Sequence, residues 1–254
     1  MGRAITVIVA IVSCLLIWKS GAVNSVLPAS LGGSGTPAPT LDPTSNITAA
    51  GDAMNKLKSV HLTLNGNLVM PGLPGIIVTG SGDLSYPHKE TLSLQLKVPT
   101  STGDIIEAVN ERIEGGHDYV QIPSQSQAWK DVTGNSKNQV TPGMDPISNL
   151  EFVHAFRAAD DQGDITMDNI DVHHFSLTVD AGKYVAQLKA DPNSGITAAD
   201  EAELTNAGIV VDVWISASDQ YVHQMRIQMS TSAYTWDLTY HFSDFQAGSS
   251  SASA

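Results

Sequence analysis

The sequence predicts an α+β fold, in which one long, curved antiparallel sheet carries helices packed on its apolar side. About ten segments alternate apolar and polar residues, which is typical of strands with one buried face. Two or three other segments repeat apolar residues at helical spacing. The segments do not alternate as strand, helix and strand, so a parallel sheet is not indicated. With 42% hydrophobic and 15% charged residues, the 254-residue chain has the composition of a globular protein.

An apolar segment opens the chain. Residues 4–18 are uninterrupted by charge and follow Arg3, which is the order of a secretion signal. Residues 1–22 are therefore predicted to be a signal peptide or a membrane anchor. We expect an exported protein, attached to the outer face of the cytoplasmic membrane or the cell envelope.

The mode of attachment has three alternatives. Residues 11–14 match a lipobox, which makes Cys14 the candidate for lipidation. Residues 20–22 match a signal-peptidase site of small residues. In the third alternative nothing is cut and the apolar run remains as an anchor, although it is shorter than the ~20 residues that span a bilayer comfortably.

Two low-complexity segments enclose the folded domain. Residues 23–44 are rich in Gly, Pro, Ser and Thr without apolar periodicity, and they predict a flexible tether. Residues 246–254 predict a disordered tail. The domain is therefore expected at residues 45–245.

Charge and thiol content exclude several classes of function. The formal net charge is −13, which disfavours nucleic acid as a partner. The single cysteine lies in the leader, so the domain has no thiol for a disulfide or a thiolate metal site. The eight histidines show no metal-ligand spacing. We predict neither a metal site nor a cofactor.

The domain is expected to begin with a helix capped by Ser45 or Asn46. Its apolar face is formed by Ile47, Ala50, Met54 and Leu57, with Lys56 and Lys58 near its C-terminal end. A strand follows at Val60, Leu62 and Leu64, and Gly66 with the segment 70–75 is expected to end it.

Further strands follow in a meander at residues 76–84, 92–98, 105–113 and 119–122. A middle helix is predicted to start at Asp145-Pro146 and to reach about Ala159, with Leu150, Val153 and Phe156 on its apolar face. After a strand at 175–179, the pattern predicts helices at 181–190 and 198–204. Three closing strands are predicted around 211–215, 225–229 and 236–242.

Two polar segments resemble sites. The acidic residues 160–164, with Asp168 and Asp171, have the ligand type of a calcium site, but we favour a solvated acidic loop. His173 and His174 are adjacent on a strand and must point to opposite faces, so they are interpreted as one surface and one half-buried histidine. The chain has neither a nucleophile elbow nor a phosphate-binding loop, and no enzyme is predicted.

Several short motifs resemble a known family. They are residues 57–62 at the helix-to-strand junction, 71–73 before 82–84, 116–119 before Trp129, and 213–215. In this order the chain resembles the mycobacterial lipoproteins LppX, LprA, LprF and LprG, which have a LolA-like half-barrel. It departs from them at Cys14, which lies inside the apolar run instead of ending it.

The resemblance implies a hydrophobic cavity between sheet and helices that holds acyl chains of a lipid or glycolipid and carries them in the cell envelope. The alternative is a sensor or interaction module with a closed core and an envelope protein partner, because apolar faces that pack shut have the same pattern. The candidate cavity residues are Leu64, Leu94, Leu96, Phe152, Phe156, Val213, Met225 and Met229.

Overall fold

The structure is a computed structural model that describes residues 42–85, 89–115, 117–133, 155–190 and 198–247. The helices in these ranges are α1 (Pro43–Met54), α2 (Ala181–Ala190) and α3 (Ala198–Leu204). The strands are β1 (Leu57–Val69), β2 (Ile76–Ser85), β3 (Lys89–Val98), β4 (Ile105–Glu114), β5 (His117–Gln121), β6 (Lys130–Asp131), β7 (Phe156–Met167), β8 (Ile170–Val179), β9 (Gly208–Ser216), β10 (Val222–Ser230) and β11 (Thr235–Ala247).

All eleven strands form one antiparallel sheet. Their order is β6-β5-β4-β3-β2-β1-β11-β10-β9-β8-β7. Two meanders, β1–β6 and β7–β11, therefore join where the first strand pairs with the last. The order ends at β6 and β7, so the sheet is open. The predicted α+β class with a single antiparallel sheet is confirmed.

One face of the sheet is buried under the helices. Ile47, Ala50 and Met54 of α1 lie in the same apolar core as the inward-facing strand residues, and α1 lies against β7 and β10. Tyr184 of α2 belongs to this core, and Leu204 of α3 packs against it. The core is thus formed between one sheet face and the helices, as predicted.

Helix α1 begins earlier than the sequence pattern indicates. The Asp42 carboxylate accepts hydrogen bonds from the Ser45 hydroxyl (2.6 Å) and the Thr44 N–H (3.2 Å), and these, the Ser45 bond foremost, hold the pKa of Asp42 below its usual range. Pro43 follows with a backbone angle suited to the first helical turn. The prediction of Ser45 or Asn46 as the cap was therefore wrong.

The end of α1 also differs. Asn55 caps the helix after Met54, and Leu57 opens β1 instead of completing the helical face. Lys56 and Lys58 consequently lie outside the helix.

Glycines within the sheet explain its curvature. Gly66, Gly80 and Gly82 lie on the inward-facing side of β1 and β2. A Cβ on Gly82 would lie 2.0 Å from the Thr91 carbonyl oxygen, and one on Gly66 would lie 2.1 Å from that of Asp237. Neighbouring backbones approach this side too closely for any side chain, as at a bend of a sheet. The prediction that Gly66 ends the strand was wrong, because close pairing continues through it.

The middle of the chain gives the largest correction. Residues 134–154 lie outside the described ranges, but Phe156 opens strand β7, so the predicted helix does not extend to Ala159. The acidic residues 160–164 belong to this strand and are not a loop. They pair with β8 through a register shift between Asp161 and Gly163. Acidic side chains suit β7 because it is an edge strand, where charge opposes pairing with other chains.

The described part ends close to the predicted domain limits. Strand β11 reaches Ala247. The described residues begin at Asp42, so they include neither the leader with Cys14 nor residues 23–41 of the predicted tether. Within residues 42–247, where described, no helix is long and apolar enough to cross a bilayer.

Candidate functional site

The inward face of the sheet is organised in rows that cross the strands. Residues directly opposite each other on paired strands share a face, so the register defines which side chains meet. One such row runs from β3 to β8 through Leu94, Gly80, Leu64, Tyr240, Met225, Val213 and Phe175. The register thus aligns four of the predicted cavity residues, Leu64, Leu94, Met225 and Val213, although they are far apart in sequence.

Two more predicted residues lie in neighbouring rows of the same face. Leu96 is opposite Val78, and Met229 is opposite Trp236 on one side and Ile209 on the other. Phe156 is half-buried at the start of β7 and packs against the core. Phe152 lies outside the described residues.

Burial of these side chains is nearly complete. The six sheet residues are between 0 and 7% exposed. Packed cores and the walls of lipid cavities share this property. The ligand-binding role of these residues therefore stays a prediction, while their common face is an observation.

Three buried carboxylates were missed from sequence. Glu90 on β3 and Glu107 and Glu111 on β4 are at most 8% exposed and face inward. Glu107 lies opposite Leu96 and accepts a hydrogen bond from the Ser124 hydroxyl at 2.5 Å. The signal in the sequence is the alternation on β4, which puts both glutamates on the same face as Val109. The row of Leu94 thus has acidic groups beside it at the β3–β4 side of the sheet.

The adjacent histidines of β8 do point to opposite faces. His173 lies beside Phe175, with Nε2 2.7 Å from Asp161 Oδ1 and Nδ1 2.6 Å from Asp164 Oδ1. His174 lies on the outer face, where it stacks on Trp214 and contacts Asp212 at 3.0 Å. Both rings are half-buried, so the prediction of one surface histidine was wrong; carboxylate and indole neighbours cover the outer one.

An ion pair joins the last two strands on the outer face. The guanidinium of Arg226 donates to both carboxylate oxygens of Asp237, at 2.8 and 2.6 Å. This pairing holds the pKa of Asp237 below its usual range and raises that of Arg226. The pair ties β10 to β11 but does not face the apolar rows.

A polar cleft of about 530 Å³ lies elsewhere on the sheet. Its lining includes Ser59, His61, Asp83 and Ser85, and His61 Nδ1 is 2.8 Å from Asp83 Oδ1. None of the predicted cavity residues lines this cleft. In the described ranges, no three His, Cys, Asp or Glu side chains are placed to hold a metal ion.

Comparison with known proteins gives structural neighbours only. No family model matches the chain, and no curated protein matches it. The lipoprotein LppX of Mycobacterium tuberculosis is 17% identical, with a TM-score of 0.45 over 81% of this chain and 97% of LppX. LprF of Mycobacterium bovis is 17% identical, with a TM-score of 0.47 over 85% and 97%. A LolA superfamily protein of Nitrosomonas europaea is 11% identical, with a TM-score of 0.36 over 83% and 95%. The structural neighbours of this chain thus include two of the lipoproteins that its motifs resemble.

Proposed function

We propose that this protein is a membrane-tethered, extracytoplasmic binding protein that holds acyl chains of a lipid or glycolipid against the inward face of its sheet and carries them in the cell envelope. The observation that supports this most directly is the apolar row from Leu94 to Phe175. Six strand spacings of about 4.8 Å give it a length of roughly 29 Å. One leaflet of a bilayer is about half as thick, so an extended acyl chain fits along the row.

The side chains of the row suit a flexible ligand. Met225 and the neighbouring Met229 are unbranched and adapt their shape to what they contact. Gly80 has no side chain of its own, so the leucine side chains of β1 and β3 on either side of it form the surface there. Such a surface binds by burial of apolar area, which is not directional and accommodates chains of different length.

The leader supports the proposed location. The apolar run at residues 4–18 has the character of an export signal, and the following Gly, Pro and Ser residues form the tether of this proposal. Incorporation of a labelled fatty acid that is lost in Cys14→Ala identifies lipidation. Membrane retention of Cys14→Ala without label identifies the uncut anchor.

A protein-interaction or sensor module with a closed core is the second candidate. The observation that favours it is the near-complete burial of the same six residues. In this case the apolar rows are packing only, and function belongs to the outer surface and an envelope protein partner.

Native mass spectrometry of the full chain, released from membranes in mild detergent, separates the two candidates. We expect a mass excess that organic extraction releases as a lipid or glycolipid. A protein of bare polypeptide mass, apart from any covalent lipid on Cys14, that also takes up no lipid from vesicles would overturn the carrier proposal. The alternative then requires a stoichiometric protein partner.

A further inference from the structure

We propose that one end of the sheet, formed by the β1–β2 hairpin and the β3–β4 turn, docks on the surface of a lipid bilayer. This inference rests on the proposed function, because it identifies where the carrier would exchange lipid with a membrane. The docking surface is the group of exposed side chains Val69, Leu73, Ile77 and Ile106, called the rim patch below.

Exposed apolar side chains are concentrated at this end. Among the described residues, seven large apolar side chains are exposed, and the four of the rim patch belong to them. A fifth, Val210, lies at the same end of the sheet near the start of β9. Ile165 lies near the opposite end, beside the β7–β8 turn. Clustering of exposed apolar groups marks contact surfaces, whereas scattered ones do not.

The hairpin presents Leu73 on a stiff support. The Leu73 N–H donates to the Met70 carbonyl oxygen at 3.1 Å, and Gly72 has a φ of +78°. With Pro71 before it, this is a type II turn, in which proline and glycine occupy their preferred positions. Pro74 restricts the returning strand as well. The backbone at Leu73 is therefore already restricted, so little conformational entropy is lost when Leu73 contacts a membrane.

Cross-strand register extends the patch sideways. Ile77 is opposite Lys97, and Lys97 is opposite Ile106, so the two isoleucines flank one lysine on the outer face. The ammonium of Lys97 is 2.6 Å from the Asp104 carboxylate. Lysine stems cover apolar surface while the charged end remains in water. The two isoleucines thus belong to one continuous surface.

Charge distribution favours a lipid surface at this end. The two turns that form the docking surface, residues 70–75 and 99–104, contain a single charged residue, Asp104, which is paired with Lys97. Near the opposite end lie Asp168, Asp219 and Asp244. With a net charge of −13, most of the protein is repelled by anionic headgroups. The β1–β2 and β3–β4 turns, whose one carboxylate is paired with Lys97, are therefore the part that approaches a membrane with little of this repulsion, whereas the neighbouring 231–234 turn is bonded to the Glu203 carboxylate.

The residues that precede α1 also favour a lipid bilayer as the partner of the rim patch. Residues 19–41 separate the apolar run from α1 and include most of the predicted tether; a flexible tether of this length is expected to have an end-to-end distance of roughly 25 to 30 Å. A leader held in a membrane therefore keeps the domain within contact distance of that membrane. On the inward face, Leu68, Trp236 and Met229 form the apolar row nearest this end. A lipid that enters beside the rim patch meets apolar side chains first.

Quenching by brominated acyl chains tests the contact. The full chain is reconstituted with phosphatidylcholine vesicles, with or without brominated chains, as Leu73→Trp and as Ile165→Trp, the matched exposed control at the other end. The unsubstituted chain gives the background of the native tryptophans. We expect the added emission of Leu73→Trp to fall at least twofold with brominated lipid and that of Ile165→Trp to stay unchanged. Equal quenching at both positions, or at neither, overturns the proposal.

Lipid transfer between vesicles provides the second measurement. We expect Leu73→Glu to lower the initial transfer rate roughly tenfold, as expected for loss of one buried leucine, and Ile165→Glu to leave it unchanged. The same variants are also assayed for lipid transfer from vesicles to an acceptor protein. If Leu73→Glu slows only this transfer, and position 73 shows no quenching, membrane docking is overturned. Quenching of the native tryptophans by brominated lipid bound as cargo is subtracted with the unsubstituted chain, so the added emission at position 73 reports contact with the membrane. If position 73 is quenched but native mass spectrometry detects no bound lipid, only the carrier function is refuted. If lipid is bound but position 73 is not quenched, only the docking is refuted.

Discussion

Leu94 occupies the space that a side chain on Gly80 would need. A Cβ on Gly80 would lie 2.6 Å from Leu94 Cδ2 and 2.8 Å from the carbonyl oxygen of Ser93. Gly80 also lies opposite Leu64, so two leucines of the apolar row are adjacent to the same glycine. The bend of the sheet and the shape of its apolar face thus depend on the same residue.

Substitution of an inward glycine is expected to destabilise the fold. In Gly82→Ala the new methyl group meets backbone atoms of Thr91, which cannot rotate away. We expect the free energy of unfolding to fall by about 3 kcal/mol, measured by thermal unfolding with circular dichroism. Gly208→Ala is the control, because nothing lies within 4 Å of its added Cβ. Equal melting temperatures for the two variants would contradict the role of Gly82 in the bend.

Enlarging a side chain in the apolar row is expected to reduce lipid binding. Val213→Phe adds volume at a fully buried position between Met225 and Phe175, and should cost about 1–3 kcal/mol of stability. We expect the lipid occupancy in native mass spectra to fall by more than half. Val210→Phe, on the outer face of the same strand, should change neither quantity. A folded Val213→Phe protein with full occupancy argues for another binding place.

The Arg226–Asp237 pair is expected to make stability depend on acidic pH. Because its pKa in the folded state is depressed, Asp237 contributes stability that is present above the ordinary carboxyl value of 3.8 and is lost as pH falls below it. Both side chains are about 40% exposed, so we expect only about 1 kcal/mol. Urea unfolding at neutral pH should show this loss in Asp237→Asn.

The same variant has a matched control. Asp52→Asn on α1 should leave the free energy of unfolding unchanged at neutral pH. Near the acidic limit the wild type and Asp237→Asn should converge in stability, since protonation removes the same charge. A constant difference between them down to pH values well below 3.8 would be inconsistent with this account.

The buried carboxylate of Glu107 is expected to depend on its hydroxyl donor. Ser124→Ala removes the donor and leaves an acceptor in a mostly buried position, which should cost about 1–2 kcal/mol. Glu107→Leu should recover part of this loss in the double variant, because the unsatisfied group is then absent. Chemical unfolding of the two single variants and the double variant measures the coupling. Strictly additive losses would show that the hydrogen bond contributes nothing.

Strict alternation explains why much of the sheet could be predicted. On β3, inward Leu92, Leu94 and Leu96 alternate with polar residues, and this pattern has one interpretation. Helix α2 was likewise predicted with its observed limits. The row that aligns Leu94 with Val213 could not be predicted, because a sequence pattern defines faces but not the register between distant strands.

The wrong assignments have specific physical causes. Phe156 fits a helical spacing with Leu150 and Val153, but pairing with Val179 places it in β7. A glycine such as Gly66 is typical of a strand end, yet here it lies inside the sheet, where two backbones approach closely. Glu107 and Glu111 alternate with Val109, and a charged residue on a buried face is the exception to the pattern used. In each case tertiary pairing overrode a local preference.

The pairing of β1 with β11 links the two ends of the domain, since Leu64 is opposite Tyr240. Each meander consists of contacts between neighbours in sequence, which form quickly, whereas this central pairing requires closure of nearly the whole domain. The sheet cannot be completed before the last strand has been synthesised. For the proposed export, this order has a consequence: a polypeptide that still lacks β11 cannot complete its sheet, and an unfolded chain is the form that a translocation channel accepts.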